Sequence, residues 1–96
     1  MRLNLEQIKA AFKALKSVYI KRDGRDCDHM DQVTVYAKVK AGMNATVIIG
    51  SNDDDLKVSL LIDSYVDYIL QDFETNHLDL EACLNLVLST IQQKAN

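Results

Sequence analysis

The stretch from Asp53 to Phe73, DDDLKVSLLIDSYVDYILQDF, constrains the fold of this chain more than any other. It is the longest apolar run, and its hydrophobic period changes partway through. Leu56, Val58, Leu60 and Ile62 alternate with Lys57, Ser59 and Leu61, as in a strand whose successive side chains point to opposite faces. Further on, Leu61, Ile62, Tyr65, Val66, Tyr68, Ile69, Leu70 and Phe73 cover one broad helical arc, with Asp63, Ser64, Asp67, Gln71 and Glu74 on the remainder. A single helix from Asp54 onward competes with this reading, because Asp53-Asp54-Asp55 is a favourable acidic first turn. That helix, however, would put Leu56 and Leu60 on its polar side. The period therefore predicts a strand at 56–62 and a helix at 63–74, with Asp63 as N-cap.

The flanking segments supply what such a stretch packs against. After Asn4, a suitable N-cap, the residues Leu5, Ile8, Phe12, Leu15 and Tyr19 recur at steps of three and four, opposite Arg2, Glu6, Lys9, Lys13 and Lys16. This predicts a helix over 4–17, with Val18-Tyr19-Ile20 either finishing it or opening a short strand. Lys21 to Asp31 is polar throughout and reads as a loop around Gly24. Val33, Val35, Ala37 and Val39 then alternate with Thr34, Tyr36, Lys38 and Lys40, and Thr46-Val47-Ile48-Ile49 follows the turn residues Gly42-Met43-Asn44. That pattern is a β-hairpin, with a further turn at Gly50–Asp53. Thr75-Asn76-His77 breaks the pattern before a last helix over 78–92. Its core stripe is Leu80, Cys83, Leu84, Val87, Leu88 and Ile91, and Leu78, Ala82 and Leu86 form a second apolar line.

The expected fold class is thus α+β, one domain over 1–96, in the order α-β-β-β-α-α. A three-stranded antiparallel meander (33–41, 45–50, 56–62) is covered by helices at 4–17, 63–74 and 78–92. That order of elements is similar to several small phage-encoded inhibitors, some anti-CRISPR proteins among them. The likeness of layout implies an anti-defence inhibitor that acts by binding.

Composition narrows the function classes. No proline and three glycines leave no room for a Pro-rich recognition segment or a Gly-rich phosphate loop. No apolar run approaches the roughly 20 residues of a membrane helix. Lysines run through the apolar pattern of the N-terminus, unlike a signal peptide, so a cytoplasmic location with Cys27 and Cys83 as free thiols is expected. The densest set of possible metal ligands is Asp23, Asp26, Cys27, Asp28, His29 and Asp31. Its spacing fits neither a calcium loop nor a paired-cysteine zinc site, so a solvated loop is expected, with no metal and no cofactor. Ser17, Ser51, Ser59, Ser64 and Ser89 lack elbow glycines, and His29 and His77 stand in no triad context. Asp63 and Asp67 as an acid–base pair would require burial that a polar arc does not provide. An enzyme is not expected.

Charge patterning speaks about partners. Residues 1–50 hold nine Lys/Arg against five Asp/Glu, a balance of +4, whereas residues 51–96 hold two against nine, a balance of −7. Asp63, Asp67 and Glu74, preceded by Asp53, Asp54 and Asp55, would line one helix edge at spacings of about 6 Å. Such a row can imitate phosphates and engage the basic surface of a nuclease or another nucleic-acid-handling protein. Two further expectations follow from the same residues. Lys9, Lys13 and Lys16, with Lys21, Arg22 and Arg25, can contact nucleic-acid phosphates or a second partner. Leu78, Ala82 and Leu86 can join two copies as a homodimer.

Overall fold

A computed structural model describes residues 3–25, 31–51, 56–74 and 79–96. The chain runs α1 (Leu5–Ala11), β1 (Lys16–Arg25), β2 (Asp31–Lys40), β3 (Met43–Ser51), β4 (Leu56–Ser64), β5 (Tyr68–Glu74) and α2 (Leu80–Ala95). The strands form one antiparallel sheet in the order β1-β2-β3-β4-β5, a meander with no crossover. The protein is α+β, with five strands and two helices among the described residues rather than three of each.

The three predicted strands are present and somewhat longer than their apolar cores, because ladder pairing continues into polar ends. Val33 pairs with Ile49, Val35 with Val47 and Ala37 with Ala45; across the next seam Ala45 pairs with Ile62, Val47 with Leu60 and Ile49 with Val58. Directly opposed residues share a face, so these side chains make one continuous apolar surface. α2 lies over it and buries Cys83, Leu84, Val87 and Ile91, while α1 contributes Ile8, followed by Phe12 at its end. Each fully buried side chain of this size contributes about 1.5–3 kcal/mol relative to exposure, so this single layer of core accounts for the fold's cohesion.

The caps fix where both helices start. Asn4 Oδ1 accepts from the amides of Glu6 (2.9 Å) and Gln7 (3.2 Å), and Asp79 Oδ1 accepts from that of Ala82 (2.7 Å). At the far end of α2, Lys40 Nζ donates to the Ala95 carbonyl at 3.2 Å, tying the helix terminus to β2.

Three expectations need correction. The helix predicted over 4–17 stops at Ala11: the Phe12 amide closes the last turn onto the carbonyls of Ile8 and Lys9, and by Lys16 the chain is a strand. Ser17 takes φ 56°, Val18 and Ile20 pack against the core, and Tyr19 turns outward; of the two readings of Val18-Tyr19-Ile20 the strand is the one adopted. Second, Lys21–Arg25 is not loop but the second half of β1, held by pairing of Lys21 with Thr34 and Arg22 with Val33. An edge strand tolerates such polarity because one flank meets water. Third, the helix predicted over 63–74 is absent. β4 continues to Ser64, the chain turns at Tyr65-Val66, and β5 returns in register from Asp63–Tyr68 to Lys57–Glu74.

The last helix is present as Leu80–Ala95 rather than 78–92. Leu78, the Asp53-Asp54-Asp55 run, Cys27, His29 and His77 lie outside the described residues, as does most of the predicted ligand cluster. Among the described residues, no helix is long and apolar enough to cross a membrane.

Candidate functional site

Among the described residues, helices cover only one face of the sheet. Solvated faces of antiparallel sheets ordinarily carry polar side chains, which gives a clean alternation of apolar and polar residues along each strand. Here the outer positions break that rule. The register aligns Tyr19, Tyr36, Thr46, Leu61 and Leu70 in one row across all five strands. The Tyr19 and Tyr36 rings sit with centroids 6.0 Å apart and are tilted by 33°, within the range of a favourable aromatic pair. A second row runs Lys21, Thr34, Ile48, Ser59 and Asp72, and a third Lys16, Lys38, Asn44, Asp63 and Tyr68. Tyr19, Tyr36, Ile48, Tyr68 and Leu70 are all exposed; Leu70 retains 65% of its accessible surface and Tyr68 70%.

The charged residues are sorted along the same rows. Lys16, Lys21 and Lys38 lie on β1 and β2, whereas Asp63 and Asp72 lie on β4 and β5. The imbalance between the two halves of the chain thus becomes a lateral polarity of the outer face, basic at one margin and acidic at the other. Lys16 stands directly opposite Lys38, and among the described residues neither has an ionic partner. Two like charges at paired positions are mildly destabilising. At the other margin, Asp72 accepts a hydrogen bond from Ser59 Oγ at 2.6 Å.

The β4–β5 turn adds an apolar tip. Its Ser64 amide donates to the Asp67 carbonyl (2.9 Å) and the Asp67 amide to Ser64 Oγ (3.1 Å), leaving Tyr65 and Val66 96% and 88% exposed. The Tyr65 ring reaches across to the β2–β3 turn. A Cβ on Gly42, which has φ +77°, would lie 2.9 Å from its Cε2.

The predicted acidic edge is therefore rearranged. Asp63 and Asp67 are not successive turns of a helix; they flank the β4–β5 turn, and Glu74 pairs with Lys57 at the opposite end of β5. Asp53, Asp54 and Asp55 fall outside the described residues. The predicted basic stripe is dispersed as well. Lys9 is on α1, 3.6 Å from Glu6; Lys13 is in the following turn; Lys16 and Lys21 belong to β1. Arg25 ends β1 opposite Asp31. Arg22 pairs with the Asp31 carboxylate and donates to the Leu3 carbonyl at 2.7 Å, so its charge is committed inside the protein. Of the predicted dimer contacts, Leu86 is exposed on α2 and Ala82 half-buried.

The residues that sequence reasoning passed over are the outward Tyr19, Tyr36, Ile48, Leu61, Tyr68 and Leu70. A signal existed for two of them: in the 33–50 hairpin, Tyr36 and Ile48 occupy positions that the alternation reserves for polar side chains. Burial pushes the Cys83 thiol above its ordinary pKa, making it a poor nucleophile, and no group of three or more His, Cys, Asp or Glu among the described residues could hold a metal ion. Comparison with protein-family models, curated proteins and solved structures finds no match in any of the three.

Proposed function

We propose that this chain is a non-enzymatic interaction protein and that the outer face of its sheet is the working surface. The observation that carries this reading is the outward row Tyr19-Tyr36-Thr46-Leu61-Leu70, in which Tyr19, Tyr36 and Leu70 are exposed and Thr46 and Leu61 half-buried, a largely apolar patch of the kind that marks protein contacts. Tyrosines suit such a role, because their rigid rings offer contact area at low entropic cost and their hydroxyls stay wet. The acidic margin of Asp63, Asp67 and Asp72 selects for a protein with a basic surface, nucleic-acid-handling proteins among them, and an inhibitor or adaptor acts by occupying that surface.

The test compares wild-type bait with two variants in a crosslinking pull-down from the host, read by mass spectrometry. Tyr36→Lys with Leu70→Lys should lose the partners that wild type captures, whereas Leu86→Lys on α2 should keep them. Equal recovery by the sheet variant would overturn the reading. Charge reversal at Asp63, Asp67 and Asp72 should weaken capture most at low salt; if capture is unaffected by salt and by the reversal, the basic-partner assignment fails.

A further inference from the structure

We infer that the outer sheet face is self-complementary and that one of its occupants is a second copy of this chain, packed face to face about a two-fold axis parallel to the strands. This rests on the outer face being the working surface and adds the identity of a partner.

The inference follows from the order of residues in each row. A two-fold axis parallel to the strands and passing over β3 brings β1 of one copy over β5 of the other and β2 over β4, with each row facing itself in reverse. In the first row, Tyr19 then meets Leu70 of the second copy, Tyr36 meets Leu61, and Thr46 meets Thr46. In the second, Lys21 meets Asp72 and Ile48 lies against Ile48 on the axis, while Thr34, itself buried, stays beneath the contact. In the third, Lys38 meets Asp63 and Lys16 meets Tyr68. Apolar meets apolar and each charged margin meets its opposite, including the Lys16–Lys38 pair, which gains the carboxylate that the described residues of its own copy do not provide. A perpendicular axis would instead lay β1 on β1 and β5 on β5, with lysines against lysines and aspartates against aspartates. The charge order thus selects one of the two symmetric packings. The rotation of about 30° usual between stacked sheets leaves the central contacts of both upper rows in place.

Size sets the strength expected. Five strands about 4.8 Å apart and about seven residues long, at about 3.4 Å per residue, make a face of about 600 Å² per copy. That is below the roughly 800 Å² per partner of a standard stable interface, so association is reversible and concentration-dependent.

Sedimentation equilibrium over a wide concentration range tests this directly. Wild type should move from monomer toward dimer as concentration rises. Lys21→Asp with Lys38→Asp reverses the two lysines that meet Asp72 and Asp63 and makes both margins acidic, and Asp63→Lys with Asp72→Lys makes both basic; each variant alone should remain monomeric. Mixing the two should restore a one-to-one dimer, which also shows that both are folded. Ile48→Lys, which sets two ammonium groups on the axis without touching the margins, should also be monomeric. A wild type that stays monomeric throughout overturns the inference, and so does a mixture that fails to restore the dimer. Dimers that persist in every variant overturn it too, and assign assembly to the β5 edge or to Leu86 on α2. The broader reading is judged separately: partner capture by a monomeric wild type leaves it standing, whereas capture undiminished by Tyr36→Lys with Leu70→Lys removes it.

Discussion

Arg22 occupies an inner-face position of β1 opposite Val33, where an apolar residue would be the simpler choice. Its guanidinium pairs with Asp31 at the start of β2 and donates to the Leu3 carbonyl; the Asp31 carboxylate in turn accepts from the Leu3 amide at 2.7 Å. Three segments distant in sequence are thereby fastened at one corner, and Leu3 is held in the core ahead of α1. The side chains of Arg22 and Asp31 are only 21% and 16% exposed, so solvent replaces this pair poorly. Asp31→Ala should therefore cost about 2 kcal/mol, with Asp31→Asn milder because it retains an acceptor for the Leu3 amide. Urea denaturation reads this as a lower midpoint at unchanged slope, and a loss well under about 1 kcal/mol would refute the corner's structural role.

At the scale of elements, the β2–β3 turn makes the sharpest prediction. Gly42 holds φ +77° with the Tyr65 ring against it, so an added Cβ meets both backbone strain and a side chain. Gly42→Ala should cost about 1–2 kcal/mol from the left-handed backbone alone. That lowers Tm by roughly 5–10 °C in a domain of this size, and Gly42→Asn should lose less. The glycine, the alternation before it and the apolar run after it made this hairpin legible from sequence. The β4–β5 hairpin was not legible, for physical reasons. Its turn is Ser64-Tyr65-Val66-Asp67, without glycine, asparagine or proline, and it is closed by a serine hydroxyl rather than by a special backbone conformation. β5 is apolar on both faces, with Ile69 and Phe73 packed on the core and Tyr68 and Leu70 in water, so alternation is erased and a helical arc fits equally well. The same lack of alternation hid the candidate surface: Leu70 fitted the apolar arc of a helix until the register placed it outward. β1 was hidden differently, because Lys21-Arg22-Asp23 carries the polarity of a loop while its pairing with β2 supplies the order. α2, with its periodic Leu80, Leu84, Val87 and Ile91, was the easiest element to read.

Among the described residues, helices cover one face of the sheet and leave the other without a helix, and Cys83 reports on the covered side. It lies fully buried between α2 and the sheet, and burial holds its pKa above the ordinary thiol value. In a Cys27→Ser background, alkylation of Cys83 should be blocked in the native state and proceed only as fast as the core opens, tracking global stability. The pH dependence has a definite sign. The folded thiol keeps its proton after the unfolded chain has lost it, so the contribution is complete below the unfolded thiol's range, about 8.5, and is lost as pH rises above it. The difference in urea midpoint between this background and its Cys83→Ala derivative should therefore shift against the thiol between about pH 7 and about pH 10; a flat difference would show that the thiol is not desolvated. The bare side carries a different kind of consequence, set by the two rims of the sheet. β1 meets β2 with two interruptions in register, between Lys16 and Tyr19 and between Arg22 and Gly24, whereas β5 follows β4 without a break. A filament grows by rim-to-rim addition only when both rims accept a strand, and an irregular rim templates poorly. With one regular rim per chain, addition through β5 alone stops at a closed pair.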